Sequence, residues 1–139
     1  MSAFTAWGLQ YIPNSRDIRF PTAHFNEGND YNGTSGVFTC RIPGIYLFTV
    51  NLMKYYQTSD YDCYIMLNGS FKVRIYIAAS SSSYANGVGS YETATSSEVF
   101  KLKQGDRVQV GLCGQSHDLA VSDVDAINTF SGVLIKANL

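Results

Sequence analysis

Gly36-Val-Phe-Thr-Cys-Arg-Ile-Pro-Gly-Ile-Tyr-Leu-Phe-Thr-Val-Asn-Leu52 is the stretch whose reading decides the fold. Val37–Arg41 reads as a strand, Pro43-Gly44 as a punctuating turn, and Ile45–Leu52 as a longer strand. Along the longer strand one period-2 face carries Tyr46, Phe48, Val50 and Leu52, and the opposite face begins with Ile45 and Leu47. An antiparallel strand with one face in water alternates apolar and polar residues, so this one is expected to be covered on both sides. The second sheet of a sandwich supplies one cover. A small domain has little material left for the other, which makes a neighbouring subunit its candidate.

The rest of the chain repeats the strand pattern. Ala3–Leu9 reads as a first strand, Gln10–Ile18 as a connection broken at Pro13-Asn14, Arg19–Asn26 as weakly strand-like, and Glu27–Ser35 as a turn region. Lys54–Asp60 is a polar and aromatic loop. Asp62–Leu67 and Phe71–Ile77 flank Asn68-Gly69, the clearest two-residue hairpin in the sequence. Ala78–Ser90 is a serine-rich surface loop. Thr93–Leu102 and Arg107–Leu112 pair around Lys103–Asp106, Gly114–Asp125 is a long loop, and Ile127–Lys136 closes the chain. No segment sustains a 3.6-residue apolar period, so the chain is expected to be all-β, a sandwich or barrel of some ten short strands.

Composition bounds the function. The 139 residues form one domain, 1–139, large enough for a core; they are 45% hydrophobic with ten Tyr and eight Phe. Net charge is −1 and the ten basic residues are scattered, so nucleic acid is not an expected partner. No apolar run reaches membrane-spanning length. No secretory signal precedes the first strand, so the chain either stays in the cytosol or begins at a mature N-terminus. Asn32-Gly33-Thr34 and Asn68-Gly69-Ser70 are glycosylation sequons, but Asn-Gly is also the preferred tight-turn dipeptide, and turn chemistry is the reading taken for both. The three cysteines, Cys40, Cys63 and Cys113, allow more than one pairing.

Phe20, Asn26, Tyr31, Phe38, Gly44, Tyr46 and Phe48 stand at the spacing of the complement C1q globular-domain signature, with Val50 where that signature has its last aromatic. Val99–Val108, Asn128–Ile135 and the opening Ser2-Ala-Phe-Thr5 agree with it, so the resemblance covers essentially the whole chain. The chain therefore resembles a C1q globular domain. The resemblance implies the ten-strand jelly-roll sandwich of the C1q and tumour-necrosis-factor type, a secreted protein and a homotrimer, with Tyr46, Phe48 and Phe130 in the core or trimer contacts. It also implies a Cys40–Cys63 disulfide, leaving Cys113 free. No Gly-X-Y repeat precedes Phe4, so no collagen-like stalk is expected within these residues.

Chemistry-bearing residues collect in loops. His117, Ser122 and Asp123 supply the residue types of a hydrolase triad, but one loop gives no rigid frame to orient them, and no enzyme is expected. Asp118, Asp123 and Asp125 could offer oxygen ligands to calcium, yet their spacing matches no calcium loop. Some members of the family bind calcium just before the Phe100-containing strand, and here Ile77–Tyr91 has no carboxylate. No cofactor is expected, and calcium is not favoured.

Tyr55, Tyr56, Tyr61, Tyr84 and Tyr91 lie in or beside loops, where a flat ring with a hydroxyl suits sugars and protein surfaces. Asp60, Asn86, His117, Asp118 and Asp123 complete the expected ligand residues. Two functions follow from the resemblance: a lectin-like pattern-recognition protein that binds glycans or microbial surfaces, and a secreted ligand for a protein receptor, as in the adiponectin and cerebellin branches. The weak charge, the loop tyrosines and the serine-rich loop favour the first.

Overall fold

The computed structural model describes residues 1–55, 59–79, 91–121 and 127–138. Among them are twelve strands: β1 (Ala3–Trp7), β2 (Gln10–Tyr11), β3 (Ile18–Arg19), β4 (Thr22–Glu27), β5 (Tyr31–Asn32), β6 (Val37–Thr39), β7 (Gly44–Lys54), β8 (Tyr61–Leu67), β9 (Ser70–Ile77), β10 (Glu92–Leu102), β11 (Arg107–Gly111) and β12 (Thr129–Ala137). One sheet runs β10-β7-β12-β1-β4 and the other β5-β6-β11-β8-β9, while β2 and β3 form a separate ribbon. The expected all-β sandwich of ten strands is thus present as two five-stranded sheets. All of the ribbon but Arg19 falls inside the stretch read as a connection, where two-residue strands leave no period to detect.

The central strand behaves as its pattern demands. In β7 burial alternates without a break, with Tyr46, Phe48, Val50 and Leu52 facing the core. Ile45 and Leu47 point out of the other face and keep part of their surface exposed. Leu47 stands beside Val99 of β10 on one side and Val133 of β12 on the other. An apolar row therefore crosses the outer face of this sheet, with Val99 and Ile135 each more than half exposed.

Six aromatic rings hold the two sheets together. Phe4 stacks on Tyr31 with ring centroids 4.5 Å apart and meets Phe130 edge-on at 5.0 Å. Phe38 reaches across to Tyr46 at 5.4 Å and Phe48 at 5.2 Å. Gly132 lies in register between Phe4 and Phe48, and a Cβ there would meet both rings at 2.7 Å. The missing side chain is the space the two rings occupy. At the Asn68-Gly69 hairpin both residues have positive φ, 52° and 82°, as a type I′ turn requires.

Two expectations need correction. Lys54, read as the start of a loop, is the last residue of β7 and is fully buried, its ammonium 3.5 Å from the Tyr55 carbonyl oxygen. The disulfide joins Cys63 to Cys113, with Cα atoms 4.0 Å apart; it is not Cys40–Cys63. Cys40 is a buried thiol that donates to the Ile42 carbonyl at 3.3 Å. The reason is strand order. β11 lies between β6 and β8, which puts the latter two about 10 Å apart at one strand spacing per step, too far for a disulfide. Cys113 follows β11, the direct neighbour of β8, at the end where Gly111 pairs with Tyr64.

These features give two expected outcomes. Gly132→Ala should cost about 1–3 kcal/mol by overpacking, whereas Phe48→Ala should cost about 3–5 kcal/mol by leaving a cavity; chemical denaturation measures both. Burial pushes the Tyr31 phenol up to about 12 from its ordinary 10.0. The folded state then disfavours ionisation, so stability should be full below pH 10 and fall as pH climbs through about 12, an alkaline loss that Tyr31→Phe should reduce in urea titrations.

Candidate functional site

The loops at one end of the sandwich converge around a cavity of about 640 Å³ lined by Tyr11, Pro13, Asn14, Ser15, Arg16 and His117 among others. Its floor is set by the β2–β3 ribbon. Asn14 adopts a φ of 60°, and the Ser15 amide donates to the Ile12 carbonyl at 3.3 Å, so the chain folds back and presents Asn14, Ser15 and Arg16 on one rim. The opposite rim is the segment after β11. Its His117 ring stacks flat on Tyr11, with centroids 3.9 Å apart and planes within 8°.

The disulfide and a chain of hydrogen bonds fix this end. Cys113 is bonded to Cys63 of β8, and its carbonyl accepts from Arg16 Nε at 2.5 Å while its amide donates to the Arg16 carbonyl at 2.8 Å. Tyr61 donates its only hydroxyl proton to the Gly114 carbonyl at 3.0 Å. Its oxygen must then accept from the Tyr11 hydroxyl at 3.1 Å, and the Tyr11 oxygen accepts from the Leu119 amide at 3.1 Å. Burial raises the Tyr11 phenol above its ordinary value and the Tyr61 phenol further. Both stay neutral at ordinary pH, which is the state in which the relay works.

The loop after β7 joins the same end. The Tyr55 amide donates to the Asp118 carbonyl at 2.8 Å, and the Tyr55 and Tyr91 rings lie 6.0 Å apart. Both rings are exposed. Four expected ligand residues, Tyr55, Tyr91, His117 and Asp118, therefore come together. Asp60 does not join them: it accepts from the Tyr76 hydroxyl at 2.8 Å, facing β9. Tyr46, Phe48 and Phe130 lie in the core. Tyr56, Tyr84, Asn86, Asp123 and Asp125 fall outside the described residues. Among the described residues no three His, Cys, Asp or Glu groups are placed to hold a metal ion.

Tyr11, Asn14, Ser15 and Arg16 were not singled out in the sequence. An aromatic and an arginine flanking Pro13-Asn14 were visible there, but His117 and Cys113, which give them a role, lie about a hundred residues further on.

A second surface lies on the exposed face of β8 and β9. The Arg74 guanidinium pairs with Asp62 at 2.6 Å and sits 4.9 Å from the Tyr76 ring centroid, and Tyr64 packs on Phe71 at 5.3 Å. Phe71 is 65% exposed.

Against known proteins, the family model for the C1q domain matches residues 3–135. The chain belongs to the C1q domain family, whose fold is the jelly roll shared with the tumour-necrosis-factor group. It is 30% identical over 139 residues to human complement C1q tumor necrosis factor-related protein 2, covering 99% of this chain and 45% of that protein. It is also 30% identical over 139 residues to mouse complement C1q and tumor necrosis factor-related protein 9, covering 96% of this chain and 38% of that protein. The chain spans about half or less of the length of the curated relatives it matches. The globular domain of a zebrafish complement 1qA protein superposes with a TM-score of 0.70 at 18% identity, covering 99% of this chain and all of that one. Murine APRIL superposes at 0.69 with 16% identity, covering 95% of this chain and 98% of that one.

Removing the bridge should release the Arg16–His117 end. In the chain-entropy account a loop of 50 residues is worth about 4 kcal/mol, and Cys113→Ser should lose about 2–4 kcal/mol, read by thermal unfolding. Alkylation of the denatured, unreduced protein should label Cys40 alone.

Proposed function

We propose that this domain is an extracellular recognition module that works as a homotrimer, binds glycans in a lectin-like way through its loop end, and catalyses no reaction. The single observation that carries the reading is the stacked Tyr11–His117 pair beside an open cavity rimmed by Asn14, Ser15 and Arg16. The faces and edges of such rings suit the apolar face of a pyranose, and the rim supplies donors and acceptors for its hydroxyls. The polar groups here are those of a binding surface. Tyr11 and Tyr61 are committed to the relay that holds the loops, and among the described residues of this site no nucleophile is paired with a base.

The trimer reading rests on the outer face of the β10-β7-β12-β1-β4 sheet. Its apolar row of Leu47, Val99 and Val133, with exposed Ile135, is what a second copy would cover. The polar half of that face is already satisfied within the chain: Thr49 meets Ser97 at 3.0 Å, and Thr95 donates to Asn51 at 2.7 Å. A heterologous contact of this kind closes into a ring when the rotation between copies allows. A shallow site binds singly at about millimolar strength, and three copies on a repetitive surface raise avidity by roughly 10²–10⁴.

A second reading, binding to a protein receptor, is favoured by the Arg74–Tyr76–Phe71 face. Tyrosine, phenylalanine and arginine together are the residues enriched in protein interfaces.

The trimer is tested by light scattering, which should give three times the 15.3 kDa chain mass, with Leu47→Asp reducing it to one chain while β-sheet circular dichroism is kept. The site is tested on a glycan array. His117→Ala should weaken binding about fivefold, on the order of 1 kcal/mol for a lost ring contact, and Phe71→Ala should leave it unchanged. Glycan binding lost with Phe71→Ala and kept with His117→Ala would place the sugar site on the β8–β9 face instead.

A further inference from the structure

The two Asn-Gly sequons are alike as sequence, and the fold separates them. Asn32 ends β5 and opens a tight loop in which the Gly36 amide donates to its carbonyl at 2.8 Å. Its side-chain oxygen accepts from the amides of Thr34 at 2.8 Å and Ser35 at 3.2 Å. Two backbone donors on one atom identify that atom as the oxygen. Nδ2 is therefore turned away from the loop, has no hydrogen-bond partner among the described residues, and belongs to an exposed residue. Gly33 lets the loop pass close to Pro21, where a Cβ would lie 2.8 Å from the Pro21 carbonyl oxygen.

Asn68 uses both ends of its amide. Its oxygen accepts from the Arg107 amide at 2.9 Å, and Nδ2 donates to Asp106 Oδ1 at 3.0 Å. The side chain lies against the neighbouring Lys103–Arg107 turn and ties that turn to the β8–β9 hairpin. One of the two Nδ2 protons is committed to Asp106, and a sugar taking its place would break that contact.

We propose that Asn32 is an N-glycosylation site of this protein and that Asn68 is not, an inference that rests on the extracellular reading above. The donor is a lipid-linked diphospho-oligosaccharide of the secretory compartments. Nδ2 attacks the anomeric carbon, so an N–C bond forms and the C–O bond to the diphosphate breaks. The diphosphate leaves with the electron pair, and one Nδ2 proton passes to a base of the transferase. Asn32 keeps both bonds to its oxygen afterwards, so the glycan leaves the folded loop as it was. Its strand belongs to the β5-β6-β11-β8-β9 sheet, while the apolar row assigned to the trimer contact lies on the other sheet. A glycan at Asn32 is therefore compatible with that assembly.

The test is secretion of the full chain behind a cleavable leader from an N-glycosylating eukaryotic host. Peptide N-glycosidase treatment in heavy-oxygen water then marks each glycosylated Asn as labelled Asp for mass spectrometry. The expected result is label at Asn32 in most molecules and none at Asn68. Thr34→Ala, which keeps the backbone donor to Asn32, should abolish the label and leave folding and the number of chains per assembly unchanged. Secreted, folded protein with a bare Asn32, or label at Asn68 that survives Thr34→Ala, would overturn the inference. Glycosylated protein that binds no sugar would sink the lectin reading alone, and sugar binding with a bare Asn32 would sink this inference alone.

Discussion

The structure depends on one packing constraint, the meeting of aromatic rings from both sheets over a position that has no side chain. Phe4, Phe48 and Phe130 come from the β10-β7-β12-β1-β4 sheet, and Tyr31 and Phe38 from the other. Large rings separate the sheets widely enough that neighbouring strands cannot all carry them at one level. Gly132, between Phe4 and Phe48, resolves the conflict. Each aromatic side chain buries a large area, and the edge-to-face contacts of Phe4 with Phe130 and of Phe38 with Tyr46 and Phe48 add a further increment. Tyr31 adds specificity, since its hydroxyl donates to the Phe20 carbonyl at 2.8 Å and accepts from the Phe20 amide at 3.1 Å. A ring placed any other way would leave those backbone groups unsatisfied in the core.

From that rigid centre the two ends diverge. At one, the turn at Lys103–Asp106 is tied to Cys40 and Asn68 by short hydrogen bonds. At the other, the segment after β11 meets the end of β7 at an isolated bridge, Lys54 with Leu119, and needs further ties. The Cys63–Cys113 bridge, the two-tyrosine relay and the Arg16–Cys113 contacts supply them together. Recognition surfaces in sandwiches gather where loops are free to vary on a fixed frame, and the aromatic rim at this end is such a place.

The outer faces of the two sheets differ in kind. One carries an aliphatic row that runs into a hydrogen-bonded patch of Ser, Thr and Asn, and the other carries an Arg–Tyr pair with exposed Phe71. The first is the face assigned above to the contact between copies. The second has the mixed character of surfaces that meet other proteins transiently.

Sequence by itself determined the strands with a long, unambiguous period and the tight turns, because those depend on neighbouring residues alone. The doubly apolar Ile45–Leu52, the Asn68-Gly69 hairpin and the Lys103–Asp106 turn were legible for that reason. Half of the candidate site was also legible, through Tyr55, Tyr91, His117 and Asp118. Only the tertiary structure decided which cysteine faces Cys63, since that depends on β11 lying between β6 and β8. Only it brought Tyr11 and Arg16 to His117, and buried Lys54 at the end of a strand whose last position looked like a loop. Only it left the Asn32 Nδ2 at the surface without a partner among the described residues, and tied the Asn68 amide to the Lys103–Arg107 turn. In each case the deciding contact joins segments tens of residues apart or depends on how strands are ordered, and the order in which strands enter a sheet leaves no local trace in the chain.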